Sequence, residues 1–274
     1  MSVIRVRPLL FTLAITSLGR ILLLRDRLLG RVAWRSRVGA AHACISRHAI
    51  PSGNNVLDAV LVKPESDAPR VSLLLCHGIG ETVQHWLPVQ QLLAANGVAS
   101  LVFDYSGYGR SSGVFDSGQA EQDAVAAFHC LERLTAPLPI SILGFSLGSG
   151  IAVAILSRVP AHRLVLSAAF TSLRKAALSV GVPKVFAVAV PPIWEAEEAL
   201  RACPVPVLVV HGEKDRLFPV RMAEELVSFC TQAELVVVPK LAHNQPFRHP
   251  QQSYWGLIAS WLIDDAGKDG LPPM

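Results

Sequence analysis

Short apolar runs alternate with longer helical patterns from about residue 50 almost to the C-terminus. This alternation is typical of a mostly parallel sheet that carries helices on both faces. Two of the runs, residues 73–75 and 207–210, contain only leucine or valine. An uninterrupted apolar strand has to be covered on both faces, because a strand with one exposed face alternates apolar and polar residues. The sequence therefore predicts an α/β domain with a largely buried parallel sheet.

The predicted elements extend over the whole body of the chain. Strands are expected at residues 56–62, 71–76, 99–103, 140–145, 163–167, 205–211 and 235–238. Helices are expected at residues 82–96, 116–134, 147–159, 221–229 and 250–262. Residues 168–202 interrupt the alternation, since three prolines break their helical composition. An insertion between two parallel strands is expected to cover the sheet edge where ligands bind, so we interpret these residues as a short cap.

Length and charge divide the chain into a body and an appendage. The 274 residues suit one catalytic domain with an added segment, and a content of 51% hydrophobic residues excludes a disordered protein. We predict an N-terminal segment at residues 1–50, the folded body at 51–264 and a flexible tail at 265–274. The N-terminal segment holds nine arginines and one aspartate, whereas acidic residues outnumber basic ones in the rest. Since the body shows no basic motif, no nucleic-acid partner is expected.

An apolar run at residues 9–24 dominates the N-terminal segment. Its 16 residues are fewer than the roughly 20 that a helix needs to span a bilayer. We favour an interfacial helix or short anchor that contacts a membrane surface; a signal peptide, a targeting peptide and a helix packed on the body are the alternatives. Most arginines follow the run, so insertion would leave the body in the cytoplasm. Otherwise the protein would be soluble in the cytoplasm or secreted, and the sequence leaves the oligomeric state open.

A glycine-flanked serine is the first candidate for chemistry. Ser146 lies in a Gly-x-Ser-x-Gly motif between the predicted strand 140–145 and the helix that begins at Leu147. A serine on so sharp a turn requires the glycines Gly144 and Gly148, because side chains there would collide. The turn holds the hydroxyl above the sheet, and the helix N-terminus favours developing negative charge.

A base and an acid are needed to activate this serine, because its hydroxyl is a poor nucleophile at neutral pH. Asp215 follows a predicted strand and is our choice for the acid, with Glu213 as the local alternative. His243 follows the last predicted strand and is our choice for the base, with His249 as the nearest rival. All of these residues are expected at the carboxyl edge of the sheet.

A glycine-rich turn at residues 77–82 follows another predicted strand. It can direct the backbone N–H of Ile79 toward the serine, and with the N–H of Leu147 it would form a two-donor oxyanion hole. A second loop, residues 104–111, is expected to support the site, with Asp104 and Arg110 as a candidate pair; a direct contact with the substrate is the alternative. The five cysteines lack close spacing and no histidine or aspartate cluster has ligand spacing, so neither a metal nor another cofactor is expected.

Together these motifs resemble the α/β-hydrolase superfamily of serine hydrolases over residues 55–262. The resemblance is to the subgroup of monoacylglycerol-lipase-like, serine-aminopeptidase-like and ABHD depalmitoylase-like hydrolases. It implies an α/β-hydrolase fold with Ser146 as the nucleophile, Asp215 and His243 as acid and base, and Ile79 and Leu147 as the oxyanion donors. Ser106 departs from the subgroup, which often has arginine at this position.

The expected activity is the cleavage of small-molecule acyl esters, as in a carboxylesterase or lipase, through an acyl-enzyme intermediate. An acyl or acyl-protein thioesterase, a peptidase, a transacylase and a non-catalytic binding module are the alternatives. We expect the acyl chain to lie against apolar residues of the cap; the simpler interpretation is that these residues pack on the body. They are Val180, Val182, Val185, Phe186, Val188, Val190 and Trp194.

Overall fold

The computed structural model describes residues 43–65 and 68–264. Eight strands form one sheet: β1 (Ala43–Ser52), β2 (Asn55–Pro64), β3 (Val71–Cys76), β4 (Val98–Phe103), β5 (Ile140–Phe145), β6 (Leu164–Ser167), β7 (Val207–Gly212) and β8 (Ala233–Val238). Their spatial order is β1-β2-β4-β3-β5-β6-β7-β8. The β1–β2 and β2–β4 pairs are antiparallel and all later pairs are parallel. The predicted mostly parallel α/β architecture is thus confirmed.

The connecting segments form helices on both faces of this sheet. They are α1 (Val83–Ala95), α2 (Ser117–Thr135), α3 (Leu147–Ile155), α4 (Leu173–Ser179), α5 (Lys184–Ala187), α6 (Ala196–Arg201), α7 (Val220–Ser228), α8 (Gln245–Arg248) and α9 (Gln252–Ile263). A 3₁₀ turn, Leu156–Arg158, continues α3 and completes the helix predicted to end near residue 159.

Two separate hydrophobic cores hold the helices against the sheet. One core packs side chains of α2, α3, α6 and α7 on one face. The other packs α1, α8 and α9 on the opposite face. Strands β3 to β7 are buried at every position, because both faces are covered. The central strands are therefore held rigidly, and they fix the positions at which the loops at their carboxyl ends begin.

The sheet begins earlier than the sequence pattern indicated. β1 pairs with β2 from Ala43↔Pro64 to Ser52↔Asn55, so the boundary predicted at residue 50 lies inside a strand. β1 escaped prediction because it is an edge strand with mostly exposed or half-buried residues, which lack the apolar run of a central strand. The apolar run at residues 9–24 and the tail at 265–274 lie outside the described residues. Among the helices of the described part, none combines the length and apolarity that crossing a bilayer requires.

The cap lies between β6 and β7, as predicted from the interrupted pattern. It contains the three short helices α4, α5 and α6. Because it follows the carboxyl end of β6 and leads into β7, it starts at the same edge of the sheet as the loops after β5 and β8. This edge is where ligands bind in sheets of this kind.

Candidate active site

Ser146 occupies a strained turn between β5 and α3. Its backbone has φ 51° and ψ −116°, a region that residues with side chains rarely adopt. The Ser146 N–H donates to the carbonyl of Ser167 at 3.1 Å, and the Ser149 hydroxyl donates to the Ser146 carbonyl at 2.6 Å. These bonds to β6 and to the first turn of α3 hold the strained residue in place.

The flanking glycines are required by close packing of the backbone. A Cβ on Gly144 would lie 2.5 Å from the Cα of Ser149, and one on Gly148 would lie 2.0 Å from the carbonyl oxygen of Cys76. Both distances are far below van der Waals contact and both involve backbone atoms, which cannot rotate away. The glycines therefore allow α3 to start directly against the end of β3.

Ser146, His243 and Asp215 form one chain of hydrogen bonds. The His243 Nε2 lies 3.0 Å from the Ser146 Oγ, and the His243 Nδ1 lies 2.7 Å from the Asp215 Oδ2. The carboxylate can only accept, so Nδ1–H donates to it and Nε2 is left to accept the serine proton. The three residues come from the loops after β5, β8 and β7, and all three are buried.

The environment of Asp215 keeps it ionised. Burial raises the pKa of this carboxyl group, but the hydrogen bond from His243 and the backbone N–H of Phe218 outweigh that effect, so the net pKa lies below its ordinary value. The Asp215 Oδ1 accepts from the N–H groups of Leu217 and Phe218, each at 2.9 Å. The negative charge is thus held on the oxygen atoms that face the loop and His243.

A second buried histidine supports the same loop. The His211 Nε2 lies 2.9 Å from the carbonyl of Phe218 and 3.5 Å from the Asp215 Oδ2. Burial lowers the pKa of His211, so its imidazole stays neutral at pH 7 and donates to the carbonyl. The rings of Phe145 and Phe218 lie 5.6 Å and 5.2 Å from the His243 ring. This apolar shell strengthens the electrostatic interactions of the hydrogen-bonded chain.

The two rival residues lie elsewhere. Glu213 is exposed, and its carboxylate accepts from the backbone N–H of Lys240 at 2.8 Å. His249 is exposed at the C-terminal end of α8. Neither residue has a hydrogen bond to Ser146 or His243 among those described for this part of the chain.

Two buried side chains fix the turn that contains Ile79. The Glu81 Oε2 accepts from the Gly78 N–H and from the Trp86 Nε1, both at 2.8 Å. The Tyr105 hydroxyl donates to the His77 carbonyl at 3.0 Å. Ile79 is half-buried in this turn, and Leu147 is the first residue of α3, where amides have no intrahelical acceptor.

Glu81 was part of the glycine-rich motif, but the sequence did not indicate what it contacts. Its acceptor role depends on Trp86, which reaches back from the first turns of α1. The motif could have indicated one of its contacts, since a carboxylate three residues after Gly78 can accept the N–H of that glycine within one turn. The aromatic partner could not be assigned without the packing of α1.

The loop after β4 is tied by Asp104. Its Oδ1 accepts from the Val83 N–H at 2.8 Å and its Oδ2 from the Arg110 N–H at 3.2 Å. The expected pairing with Arg110 is thus made through the backbone rather than through the guanidinium. The Ser106 N–H donates to the Asp123 Oδ2 at 2.7 Å, and the Ser106 Oγ accepts from Asn55. Ser106 is therefore a buried structural residue here.

The seven apolar cap residues differ in exposure, and Val182 is half-buried. Val190 and Trp194 are buried, and the Trp194 Nε1 donates to Glu121 at 3.0 Å. Val180, Val185, Phe186 and Val188 are exposed. The simpler interpretation, that these residues pack on the body, thus holds for Val190 and Trp194 and not for the four exposed side chains. That the exposed residues line an acyl site stays a prediction. Within residues 43–65 and 68–264 we also find no cluster of three or more histidine, cysteine, aspartate or glutamate residues that could hold a metal.

A mostly parallel eight-stranded sheet with a serine turn after β5, an acid after β7 and a histidine after β8 is the arrangement of the α/β-hydrolase fold. A family model described as serine aminopeptidase, S33, matches residues 67–196. Solved structures with the same fold include an esterase from Pyrococcus furiosus, with a TM-score of 0.63 and 20% identity over 80% of this chain and 89% of that chain. The chain thus has the α/β-hydrolase fold, and over residues 67–196 it is similar to the serine aminopeptidase, S33, family.

Several curated proteins are similar in sequence. A monoacylglycerol lipase of Mycolicibacterium smegmatis is 29% identical over 73% of this chain and 90% of its own length. The lysophosphatidylserine lipase ABHD12 of Danio rerio is 25% identical over 68% of this chain and 55% of its own length. An uncharacterized protein of Mycobacterium tuberculosis is 31% identical over 64% of this chain and 63% of its own length. The matched region thus spans between about half and two thirds of the last two relatives.

Proposed function

We propose that this protein is a serine hydrolase that cleaves carboxylic acyl esters through an acyl-enzyme intermediate. The observation that carries the proposal is the hydrogen-bonded chain from Ser146 through His243 to Asp215. No other serine in the described residues is recorded with a hydrogen bond to His243. The similarity to a monoacylglycerol lipase and to esterase structures supports an ester as the substrate.

The first half of the reaction forms the acyl-enzyme. The Ser146 oxygen attacks the carbonyl carbon of the ester while the His243 Nε2 takes the serine proton. The carbonyl π-electrons move to oxygen, and the N–H groups of Ile79 and Leu147 donate to the resulting oxyanion. When the tetrahedral intermediate collapses, the C–O bond to the alcohol breaks and His243 returns the proton to the leaving oxygen.

The second half releases the acid. Water attacks the acyl-enzyme, His243 accepts its proton, and the same two N–H groups hold the second oxyanion. Collapse breaks the bond to the Ser146 oxygen, which recovers the proton from His243. Asp215 accepts from His243 Nδ1 throughout, so the ring keeps its orientation and its positive charge is stabilised.

A covalent probe combined with an ester series tests this proposal. The wild-type protein should react with a fluorophosphonate and hydrolyse p-nitrophenyl esters of some chain length between C2 and C16. Ser146→Ala should lose both properties, whereas Ser228→Ala, which changes an exposed serine on α7, should keep both.

Other substrate classes are separated in the same assay. Turnover of acyl thioesters or aminoacyl amides in preference to esters would move the assignment to a thioesterase or a peptidase with the same serine. Ester formation with added alcohols would indicate a transacylase. Folded wild-type protein that neither reacts with the probe nor turns over any ester would overturn the proposal.

A further inference from the structure

The tip of the cap exposes an unusual amount of apolar surface. We use "cap tip" for residues 178–189, which include the end of α4 and all of α5. Of the ten large hydrophobic side chains that are exposed in the described part of the chain, five lie here. Val185 and Val188 are each 74% exposed and Phe186 is 65% exposed, with Leu178 and Val180 beside them in the sequence. Single exposed apolar residues are common, but such a cluster marks an interaction surface.

The cap tip is continuous with the edge of the sheet that holds Ser146. The Ser179 hydroxyl of α4 donates to the carbonyl of Leu217, whose own side chain is 40% exposed. The N–H of Leu217 donates to the Asp215 Oδ1. The cap tip is thus connected to the loop that carries the acid, at the same carboxyl edge of the sheet as Ser146.

The charges around the cap tip are mostly positive. Arg174, Lys175 and Lys184 are exposed, and no acidic residue occurs from residue 163 to residue 194. Lys175 forms an ion pair with Glu225 of α7, which also carries the exposed Glu224. Arg174 donates to the neutral carbonyl of Val190, so this hydrogen bond brings no negative charge to its guanidinium group.

We propose that the cap tip is a docking surface for a bilayer that contains anionic lipids. Val185, Phe186 and Val188 would enter the boundary between headgroups and acyl chains, and Lys184 with Arg174 would contact the phosphate groups. An apolar face beside cationic side chains is the pattern of proteins that lie on a membrane surface.

The charge pattern argues against two other occupants. A second copy of the chain would bring one cationic cap tip against another. Residues 1–42 carry eight arginines and one aspartate, so this segment would also bring positive charge to a positive surface. An anionic lipid surface complements both the apolar side chains and the charge.

Docking in this orientation turns the candidate active site toward the bilayer. If the proposed ester hydrolysis is correct, the substrates within reach would be lipid esters held in the membrane. This assignment of substrates rests on the proposed function, whereas docking itself does not require any catalytic activity.

A fluorescent label at the cap tip tests the docking directly in the full-length chain. Cys44 is the exposed cysteine of the described residues, so Cys44→Ser supplies a background in which an added thiol can be labelled with an environment-sensitive NBD group. Phe186→Cys places the label at the cap tip. Val114→Cys is the matched control, because Val114 is 64% exposed and lies outside the cap.

The expected result is specific to one position and one lipid. With vesicles of equal phosphatidylcholine and phosphatidylglycerol, the label at 186 should shift to the blue, brighten severalfold and become protected from iodide quenching. The label at 114 should stay accessible to iodide. Pure phosphatidylcholine vesicles should give a smaller change at 186, and Lys184→Glu should weaken the response to anionic vesicles.

Each other outcome overturns the proposal. No change at 186, or equal changes at 186 and 114, would show that the cap tip does not insert. A label at 186 that is protected without vesicles in proportion to protein concentration would assign the surface to a second copy. Protection independent of concentration would assign it to another part of the same chain. Because no outcome depends on ester turnover, failure here is distinct from failure of the proposed hydrolase activity.

Discussion

The Ser146 turn is buried and tightly packed, whereas the cap tip is exposed to solvent. Ser146, Asp215 and His243 are between 6% and 8% exposed, and their hydrogen bonds connect loops after three strands of the central sheet. Phe186, by contrast, is 65% exposed on a four-residue helix of the cap. The comparison indicates that the geometry of the candidate site depends on backbone packing in the core, and we expect that the cap tip can change without disturbing it. Substitutions in the two regions should therefore have very different effects.

The largest effect is expected at the acid of the hydrogen-bonded chain. Asp215→Asn should lower kcat by about 10⁴-fold, because an amide that donates to His243 Nδ1 would stabilise the wrong tautomer. Glu213→Gln, in the same loop, should change kcat less than about threefold, since Glu213 contacts the backbone of Lys240 instead. Steady-state kinetics on the best ester of the series measures both variants. The acid would have to be reassigned if Glu213→Gln gave the large loss.

A glycine substitution should test how far the site depends on backbone packing. Gly148→Ala would force a Cβ to within 2.0 Å of the Cys76 carbonyl oxygen, so α3 would have to move away from β3. We expect the free energy of unfolding to fall by about 3 kcal/mol or more. Gly256→Ala is the control, because its nearest neighbour is the flexible end of Gln252 at 3.3 Å and alanine favours helix α9.

Urea denaturation measures both glycine variants. The control should be as stable as the wild type or more stable by up to about 1 kcal/mol. Equal stability of Gly148→Ala and the wild type would mean that α3 does not need its close contact with β3, and the comparison between a packed site and a tolerant cap would lose its basis.

An intermediate effect is expected at Glu81. Glu81→Ala should lower kcat by about 10- to 100-fold with little change in KM, because the Gly78 N–H loses its acceptor and the turn that presents Ile79 loosens. Glu81→Gln should restore most of kcat, since one amide oxygen can accept both N–H groups. A loss that is the same in both variants, or that appears only in KM, would argue against a role in positioning the oxyanion turn.

The buried groups beneath the site should also give a pH signature. Burial lowers the pKa of His77 to about 4 and raises the pKa of Asp104 to about 6. The His77 contribution to stability therefore grows as pH rises from 4 to 6.5, whereas the Asp104 contribution falls between 3.8 and 6. The two slopes oppose each other in the wild type.

Removing the Asp104 carboxyl group should leave the His77 contribution to the pH dependence of the free energy of unfolding unopposed. In Asp104→Asn the free energy of unfolding should rise more steeply with pH between 4 and 6.5 than in the wild type, by up to about 3 kcal/mol over the range. Denaturation series at half-unit pH steps measure the difference. Parallel curves for the two proteins would contradict the raised pKa of Asp104.

The smallest effect is expected at the cap tip. Phe186→Ser should change the free energy of unfolding by less than about 0.5 kcal/mol and leave hydrolysis of short soluble esters unchanged, because the side chain has few partners to lose. Thermal denaturation and p-nitrophenyl acetate turnover measure these quantities. A large loss in either would show that Phe186 packs on the body, and the contrast between the two regions would disappear.

The central part of the fold could be predicted because buried strands have a distinctive composition. β3 and β5 were expected at the residues where they occur, since a strand covered on both faces has to be apolar throughout. β1 could not be recognised, because an edge strand exposes most of its residues and its polar sequence resembles a loop. The four-residue helix α8 was missed for a related reason, since one helical turn has no periodicity to detect.

Part of the candidate site could also be predicted from the sequence. Ser146 lies in a turn whose two glycines are dictated by local sterics, so the motif can be recognised from five residues. Glu81 could not be assigned a contact, because its partner Trp86 depends on how α1 packs against the loop. The exposure of Phe186 was also undetermined, since an apolar residue in a short cap helix has the same sequence pattern whether it faces the body or the solvent.

The sequence by itself determined where the central strands lie along the chain, that the sheet is buried, and which loops carry the serine, the histidine and the aspartate. These features depend on local sterics and on apolar periodicity, which are set by residues close together in the sequence. The tertiary structure alone decided which acid faces His243, what holds the turn at Gly78 and which cap side chains meet solvent. These contacts join residues far apart in the chain, so their distances are set by the packing of the whole sheet and its helices.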